Sequence, residues 1–272
     1  MSKMMHNDPH VFPGSGSIVV CGDIHGDFNT LVYKVCVQYQ LRNTVVIVAG
    51  DCGFGFEKIG YYETKFNRNV KKMNEANNWI VFMRGNHDNP AYFNKPAFHY
   101  KRFVTIPDYS IVKAGGHNVL CIGGAISVDR AYRKSAWESL QENLRLFGRT
   151  LDNQDPLAPN YYWHDEAPVF NKELLKQILD EVAIDAVVTH TAPSFCELQS
   201  KEGIRSWMKN DDALESDLSA ERATMDAIYD LVKDTPVTHW CYGHFHQSWH
   251  AAIEGILFKM LDIMELYAVP QL

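Results

Sequence analysis

The sequence predicts an α/β fold, with parallel strands in its first part and mixed pairing later. Three observations carry that prediction. Apolar runs rich in β-branched residues alternate with stretches of helical spacing. Glycine-bearing turns join several of the later runs. Four runs end in a short cluster of glycine with aspartate, asparagine or histidine, and a fifth ends in a lone histidine.

In chain order, Met1 to Gly16 (MSKMMHNDPHVFPGSG) lacks the apolar stretch of a secretory signal and reads as a flexible arm. Ser17–Cys21, Thr44–Ala49 and Trp79–Met83 read as strands. Between them lie a helix over Asn29–Tyr39, with Leu31, Val32 and Val35 on one face, and a polar helix over roughly Tyr61–Ala76. This βαβαβ order predicts parallel strands with right-handed crossovers. Ser110–Lys113 and Asn118–Ile122 flank Gly115-Gly116, a hairpin signal. A helix over Val169–Val182, a buried strand at Asp185–Thr189, a helix over Ser219–Val232 and a strand at Thr238–Tyr242 follow. His250–Leu266 reads as a second hairpin turning at Glu254-Gly255. Ser127–Pro168 breaks the alternation: it is polar, aromatic and contains Pro156 and Pro159. We read about 125–168 as an insertion over one face of a single domain spanning 17–272.

Composition narrows the function. The chain has 272 residues and a formal net charge of −7, which counts against a nonspecific nucleic-acid binder with a basic face. No apolar run approaches the ~20 residues of a membrane span. The six cysteines stand singly, several within apolar runs, and form no CxxC pair. Buried thiols in a reducing cytoplasm are expected.

The polar clusters carry the chemistry. Cys21 is followed by Gly22-Asp23-Ile24-His25-Gly26, and Ala49 by Gly50-Asp51. Arg84 is followed by Gly85-Asn86-His87-Asp88, Thr189 by His190, and Tyr242 by Gly243-His244-Phe245-His246. Active sites of open α/β sheets form at the carboxyl ends of strands. Five such ends converging would pool Asp23, His25, Asp51, Asn86, His190, His244 and His246. Oxygen and imidazole donors in that mixture suit Mn, Fe, Zn or Ni better than Ca. A carboxylate shared by two ions fits a pair ~3.5–4 Å apart. Each motif alone is weak; the specificity lies in five of them, in this order, each after a strand.

In these motifs the chain resembles the calcineurin-like metallophosphoesterase superfamily, from Gly22 to His246. The resemblance implies a four-layer sandwich of two mixed β-sheets flanked by helices, with a dinuclear metal site at the carboxyl ends of strands. It implies that Asp23, His25 and His246 hold one divalent ion, that Asn86, His190 and His244 hold the other, and that Asp51 bridges them. Manganese is the first expectation. His87 would not be a ligand; it would stabilise the phosphoryl transition state or protonate the leaving oxygen. The implied reaction is hydrolysis of a mono- or diester, of a small phosphorylated molecule or nucleotide, by a hydroxide bridging the two ions.

Two departures from the superfamily's better-known branches matter. The protein serine/threonine phosphatase branch and the diadenosine tetraphosphatase branch carry G-D-x-x-x-R-G, and here Gly55 stands at the arginine position. The protein phosphatases usually lack the second histidine of the last motif, present here as His246. Both features point toward the phosphodiesterase, nuclease and bacterial-type phosphatase branches. Within the insertion, Arg130 and Arg133 follow Gly123-Gly124 and are candidates for a substrate phosphate; a solvated polar loop explains them equally. Tyr161-Tyr162-Trp163 reads as packing for the insertion. Two alternative functions stand beside the small-molecule hydrolase: a nuclease, against which the acidic balance counts, and a non-catalytic scaffold, against which the complete ligand set counts.

Overall fold

The structure, a computed structural model, describes residues 9–94, 98–149, 155–196 and 201–271. Of the expected arm and insertion, residues 1–8 and 150–154 lie outside the described residues. The first sheet has six strands: β2 (Ser17–Cys21), β3 (Thr44–Val48), β4 (Trp79–Phe82), β5 (His99–Tyr100), β6 (Phe103–Thr105) and β13 (Leu266–Ala268). Their order is β13-β2-β3-β4-β6-β5, parallel from β2 to β6, with antiparallel strands at both edges. The second has seven: β1 (His10–Val11), β7 (Ser110–Ala114), β8 (His117–Ile122), β9 (Ala186–Thr189), β10 (His239–Tyr242), β11 (Trp249–Ile253) and β12 (Ile256–Met260). Here the order is β1-β7-β8-β9-β10-β12-β11, with parallel and antiparallel pairs mixed.

Both faces of the central strands of each sheet are covered, which explains their continuous apolar runs. In β3, Val45 and Ile47 point into the layer between the sheets, where they meet Val119, Val188 and Cys241 of the second sheet. Val46 and Val48 point outward, toward helix α1 (Phe28–Tyr33, continued by π-helical turns over Lys34–Gln38) and helix α2 (Ile59–Ala76). In β10 the division repeats: Cys241 faces the centre, while Trp240 and Tyr242 face α4 (Lys172–Glu181) and α6 (Leu214–Val232). The four layers are therefore helix, sheet, sheet, helix, as the sequence implied.

Helix α2 buries Tyr62, Phe66, Val70 and Met73 at helical spacing. Phe66 stacks on Phe103 with ring centroids 4.4 Å apart. The helix stops at Asn77, whose left-handed conformation (φ 51°) turns its N–H back to the Met73 and Asn74 carbonyls.

Several elements differ from the sequence reading. Within the segment expected as a flexible arm, His10–Val11 form β1 beside β7, and Phe12 is buried. The two-residue strand β5 has no sequence signal either. The second hairpin turns at Glu254-Gly255, both at positive φ, but ends at Met260 rather than Leu266. The Glu265 carboxylate then accepts the Asp262 N–H, and the chain crosses to the other sheet, where β13 pairs with β2. Strand β6 escapes a periodicity search because it is three residues long. Within Ser127–Pro168, helix α3 (Arg130–Leu146) was not anticipated, because its buried residues are Arg130 and Arg133 rather than an apolar stripe. Helix α5 (Lys201–Met208) was also missed. All six cysteines are free, and five are buried. Among the described residues, no helix is long and apolar enough to cross a membrane.

Candidate active site

The carboxyl ends of β2, β3 and β4 in one sheet, and of β9 and β10 in the other, meet at one place. All seven expected ligands come together there. Asp23 follows β2, Asp51 follows β3, Asn86 and His87 follow β4, His190 follows β9, and His244 and His246 follow β10. Asp23, Asp51, Asn86 and His190 are buried, while His25 and His246 reach solvent.

The loops that deliver these side chains are tightly bent. His25, Asp51, His244 and His246 adopt left-handed φ values of 45°, 45°, 69° and 52°. Non-glycine residues in that region cost ~1–3 kcal/mol each and persist where surrounding structure enforces them. Two glycines permit the crowding. A Cβ on Gly85 would lie 2.2 Å from Asp51 Oδ1, and one on Gly243 would lie 2.1 Å from Asp23 Oδ1.

One group of donors is formed by Asp23, His25, Asp51 and His246. Each offers one atom, and these atoms lie within 4.8 Å of one another. His25 Nε2 and His246 Nε2 are 3.1 Å apart. The second group centres on Asn86. Its Oδ1 is 2.9 Å from His190 Nε2 and 3.0 Å from His244 Nδ1. His190 Nδ1 donates to the Ala49 carbonyl at 2.7 Å, which turns its Nε2, the nitrogen a cation would take, toward Asn86 and Asp51.

These donors fit divalent cations. Asp23 Oδ2 is fully buried without a hydrogen-bond partner, yet 3.0 Å from His246 Nε2. The nitrogen is near but not aligned to donate, the arrangement of two ligands facing a common ion. Two imidazole nitrogens turned toward one another are likewise satisfied when both give lone pairs to a cation.

Charge follows the same geometry. Burial raises the Asp51 carboxyl, but His190, His87 and His25 outweigh it and hold the group well below the usual range. Burial opposes the charge of His190, but the Asp51 and Asp23 carboxylates lift it to about 9. His244 is lowered by burial and by the neighbouring His190. Burial also lowers His87, and Arg133 adds to that, while Asp51 acts in the opposite sense.

His87 lies at the edge of the cluster, its backbone N–H on Asp51 Oδ1 at 2.8 Å and its ring edge-on to His25 at 5.7 Å. The neighbouring Asp88 does not orient that ring. Its oxygens accept the backbone N–H groups of Cys52, Gly53, Phe54 and Gly85 at 2.8–3.0 Å. It thereby clamps the loop after β3 to the loop after β4.

The two arginines separate. Arg130 forms ion pairs with Asp211 and Asp217, at 2.5 and 2.7 Å. Arg133 is also buried, donates from Nη1 to Ser127 Oγ at 3.0 Å, and lies over the Phe56 ring at 5.7 Å. Its Nη2 has no hydrogen-bond partner. Gly55 is covered by Asn89 and the Trp163 ring, so a side chain there would collide with them. Sequence reasoning missed Ser127 and Glu166, which stand behind Asn86. The glycine pair ahead of Ser127 was a weak signal for the first, and nothing local marked the second.

A family model for calcineurin-like phosphoesterases matches residues 16–248, and the chain belongs to that family. It is accordingly a phosphoesterase hydrolase of a family that uses divalent metals. TT1561 from Thermus thermophilus is similar in fold, with a TM-score of 0.51 at 11% identity over 94% of this chain and 98% of that one. Weaker likenesses include a Staphylococcus aureus protein described as a candidate 5′-nucleotidase (TM-score 0.45, 14% identity, 93% of this chain and 50% of that one). Phosphopantetheinyl hydrolase from Mycobacterium tuberculosis is another (0.41, 12% identity, 92% and 91%). No curated protein matches the chain significantly by sequence.

Proposed function

We propose that this protein hydrolyses phosphate esters of small molecules or nucleotides with two divalent cations. Asp23, His25 and His246 would hold one, Asn86, His190 and His244 the other, and Asp51 both. The observation that carries this reading is the position of Asp51. Its carboxylate belongs to the four-residue cluster with Asp23, and its Oδ1 also lies 3.1 Å from His190 Nε2 in the second group. The nitrogen and oxygen donors suit manganese first, with iron, zinc or nickel as alternatives. When bound, such ions acidify water and neutralise the oxygens of a transferring phosphoryl group.

The chain's own residues supply the remainder. His87, not needed as a ligand, donates to a phosphoryl oxygen or protonates the leaving oxygen. Asp88 holds its loop at a fixed distance from Asp51. Of the arginines expected to bind substrate, Arg133 is the better candidate, because the charge of Arg130 is already matched by two carboxylates. The retained His246 and the glycine at position 55 favour the phosphodiesterase and bacterial-type phosphatase branches. We assign residues 17–272 to one domain, with 125–168 as an insertion beside the site. Six free thiols fit a reducing cytoplasm.

The test is metal analysis coupled to a substrate panel: a phosphomonoester, a diester, cyclic nucleotides and single-stranded nucleic acid. Two ions per chain are expected, with activity lost on chelation and regained with Mn. Asp51→Asn should deplete both ions, whereas His87→Ala should cut turnover and leave metal content near two. A metal-free preparation that stays fully active overturns the proposal. Faster cleavage of nucleic acid than of every small ester would favour the nuclease reading.

A further inference from the structure

The Asn86 amide poses a choice that its own shape does not settle. An amide turned by 180° has nearly the same outline, with its donor and acceptor ends exchanged. Only one orientation directs oxygen toward His190 and His244; the other would turn an NH2 group toward any cation held there. Behind Asn86, the Nδ2 end meets Ser127 Oγ at 2.8 Å. A serine hydroxyl alone does not decide the matter, because it can either donate or accept.

Its other partners remove that freedom. The Ser127 hydroxyl has one proton and two lone pairs. Glu166 Oε2 lies 2.5 Å from Ser127 Oγ, and Glu166 Oε1 accepts the Ser127 backbone N–H at 3.0 Å. Ionised, Glu166 only accepts, so it takes the hydroxyl proton. Arg133 Nη1, 3.0 Å away, only donates, so it occupies one lone pair. The remaining lone pair faces Asn86, which must present its NH2 group. Ser127 and Glu166 are each 1% exposed, so water does not compete for these positions. Glu166 is itself fixed: its backbone carbonyl accepts from Arg84 Nη1 at 2.8 Å and from the Ala125 N–H at 3.1 Å.

We propose that Glu166, acting through Ser127, fixes the Asn86 amide with its oxygen toward His190 and His244, and so sets the metal affinity of that position. Ser127 and Glu166 are positioning residues, and this role rests on the reading of Asn86 as a ligand. It also gives the insertion a specific purpose, since its two ends, at Ser127 and Glu166, close behind one of the two ion positions and not the other.

The experiment measures Mn binding by titration calorimetry and elemental analysis at pH 8, where Glu166 is a carboxylate, on wild type, Ser127→Ala, Glu166→Gln and Asn86→Ala. Outer partners of metal ligands typically change affinity by ~10–100-fold. Ser127→Ala and Glu166→Gln should weaken one of the two ions by about tenfold or more and leave the other unchanged. Ser127→Thr, which keeps the hydroxyl, should recover most of the loss. Unchanged affinities in both variants, with the fold intact by circular dichroism, overturn the proposal. Equal weakening of both ions also overturns it, since general loosening of the site gives that result. Asn86→Ala separates the two readings. If it loses no metal, the ligand assignment fails; if it loses one ion while Ser127→Ala and Glu166→Gln lose none, only the positioning role fails.

Discussion

Helices α2 and α3 are of similar length and flank the same site, but they are held by different forces. Helix α2 presses Tyr62, Phe66, Val70 and Met73 into an aromatic core beneath the loop that carries Asp51. Helix α3 buries two arginines, one in ion pairs and one over an aromatic ring beside Ser127. The first is anchored by non-directional apolar burial, which tolerates change in detail but not in volume. The second is anchored by directional contacts, which fix a guanidinium close to the chemistry and depend on each partner being present. Support for the framework and specialisation of the site are thus assigned to different helices.

Substitutions at five positions sharpen or break that contrast. The largest effect is expected from Phe66→Ala, which removes a fully buried ring stacked on Phe103. Loss of about 3–5 kcal/mol in denaturant unfolding is expected, with near-normal turnover per folded molecule. Arg130→Met should cost about 1–3 kcal/mol, because Asp211 and Asp217 lose their partner but remain partly open to water. Adding Asp211→Leu should restore most of that loss, since apolar packing can replace a buried pair. Failure of the double variant to recover would mean that α3 needs the charge pair itself.

Arg133→Ala should lower kcat/KM by roughly tenfold, the size of a lost charged hydrogen bond, while stability changes less than in Phe66→Ala. Equal catalytic losses in Arg130→Ala and Arg133→Ala would remove the distinction between the two arginines. The smallest effect is a pH trend. Burial raises the Glu166 carboxyl to about 7 against an ordinary 4.5, with Ser127 and Arg133 opposing the shift. The folded state then binds more protons than the unfolded state between those values. The contribution of the protonated group is present below about 4.5 and is lost as pH rises through about 7. Wild type should therefore lose stability relative to Glu166→Gln across that window, and the difference should be flat above pH 8. Denaturant midpoints of the metal-free proteins give the comparison.

The same contrast explains what could be read from the sequence. Strands β2, β3 and β4 were legible because both of their faces are apolar, and each ends in a glycine followed by a polar side chain. The convergence of Asp23, Asp51, Asn86, His190 and His244 was legible because the order of the motifs along the chain matched the order of the strands. Helix α3 was not, since a buried Arg130 looks in sequence like a solvated one. The pairing of Ser127 with Glu166 was not either: hydrogen bonds join two residues far apart in the chain, and no local pattern encodes that contact. The crossing of β13 to the other sheet is invisible to periodicity, because Leu266–Ala268 would suit an edge of either sheet.

That crossing also bears on the order of assembly. The Met264 N–H donates to the Asp23 carbonyl and the Gly22 N–H to the Glu265 carbonyl, while Leu266 pairs with Cys21. The backbone on either side of an early ligand is thus completed by a strand synthesised some distance after every other motif. Closing such a contact demands the loss of much chain entropy before it is rewarded. A nascent chain extended only through His246 carries all seven candidate ligands but lacks β11, β12 and the strand that pairs with the backbone beside the first of them.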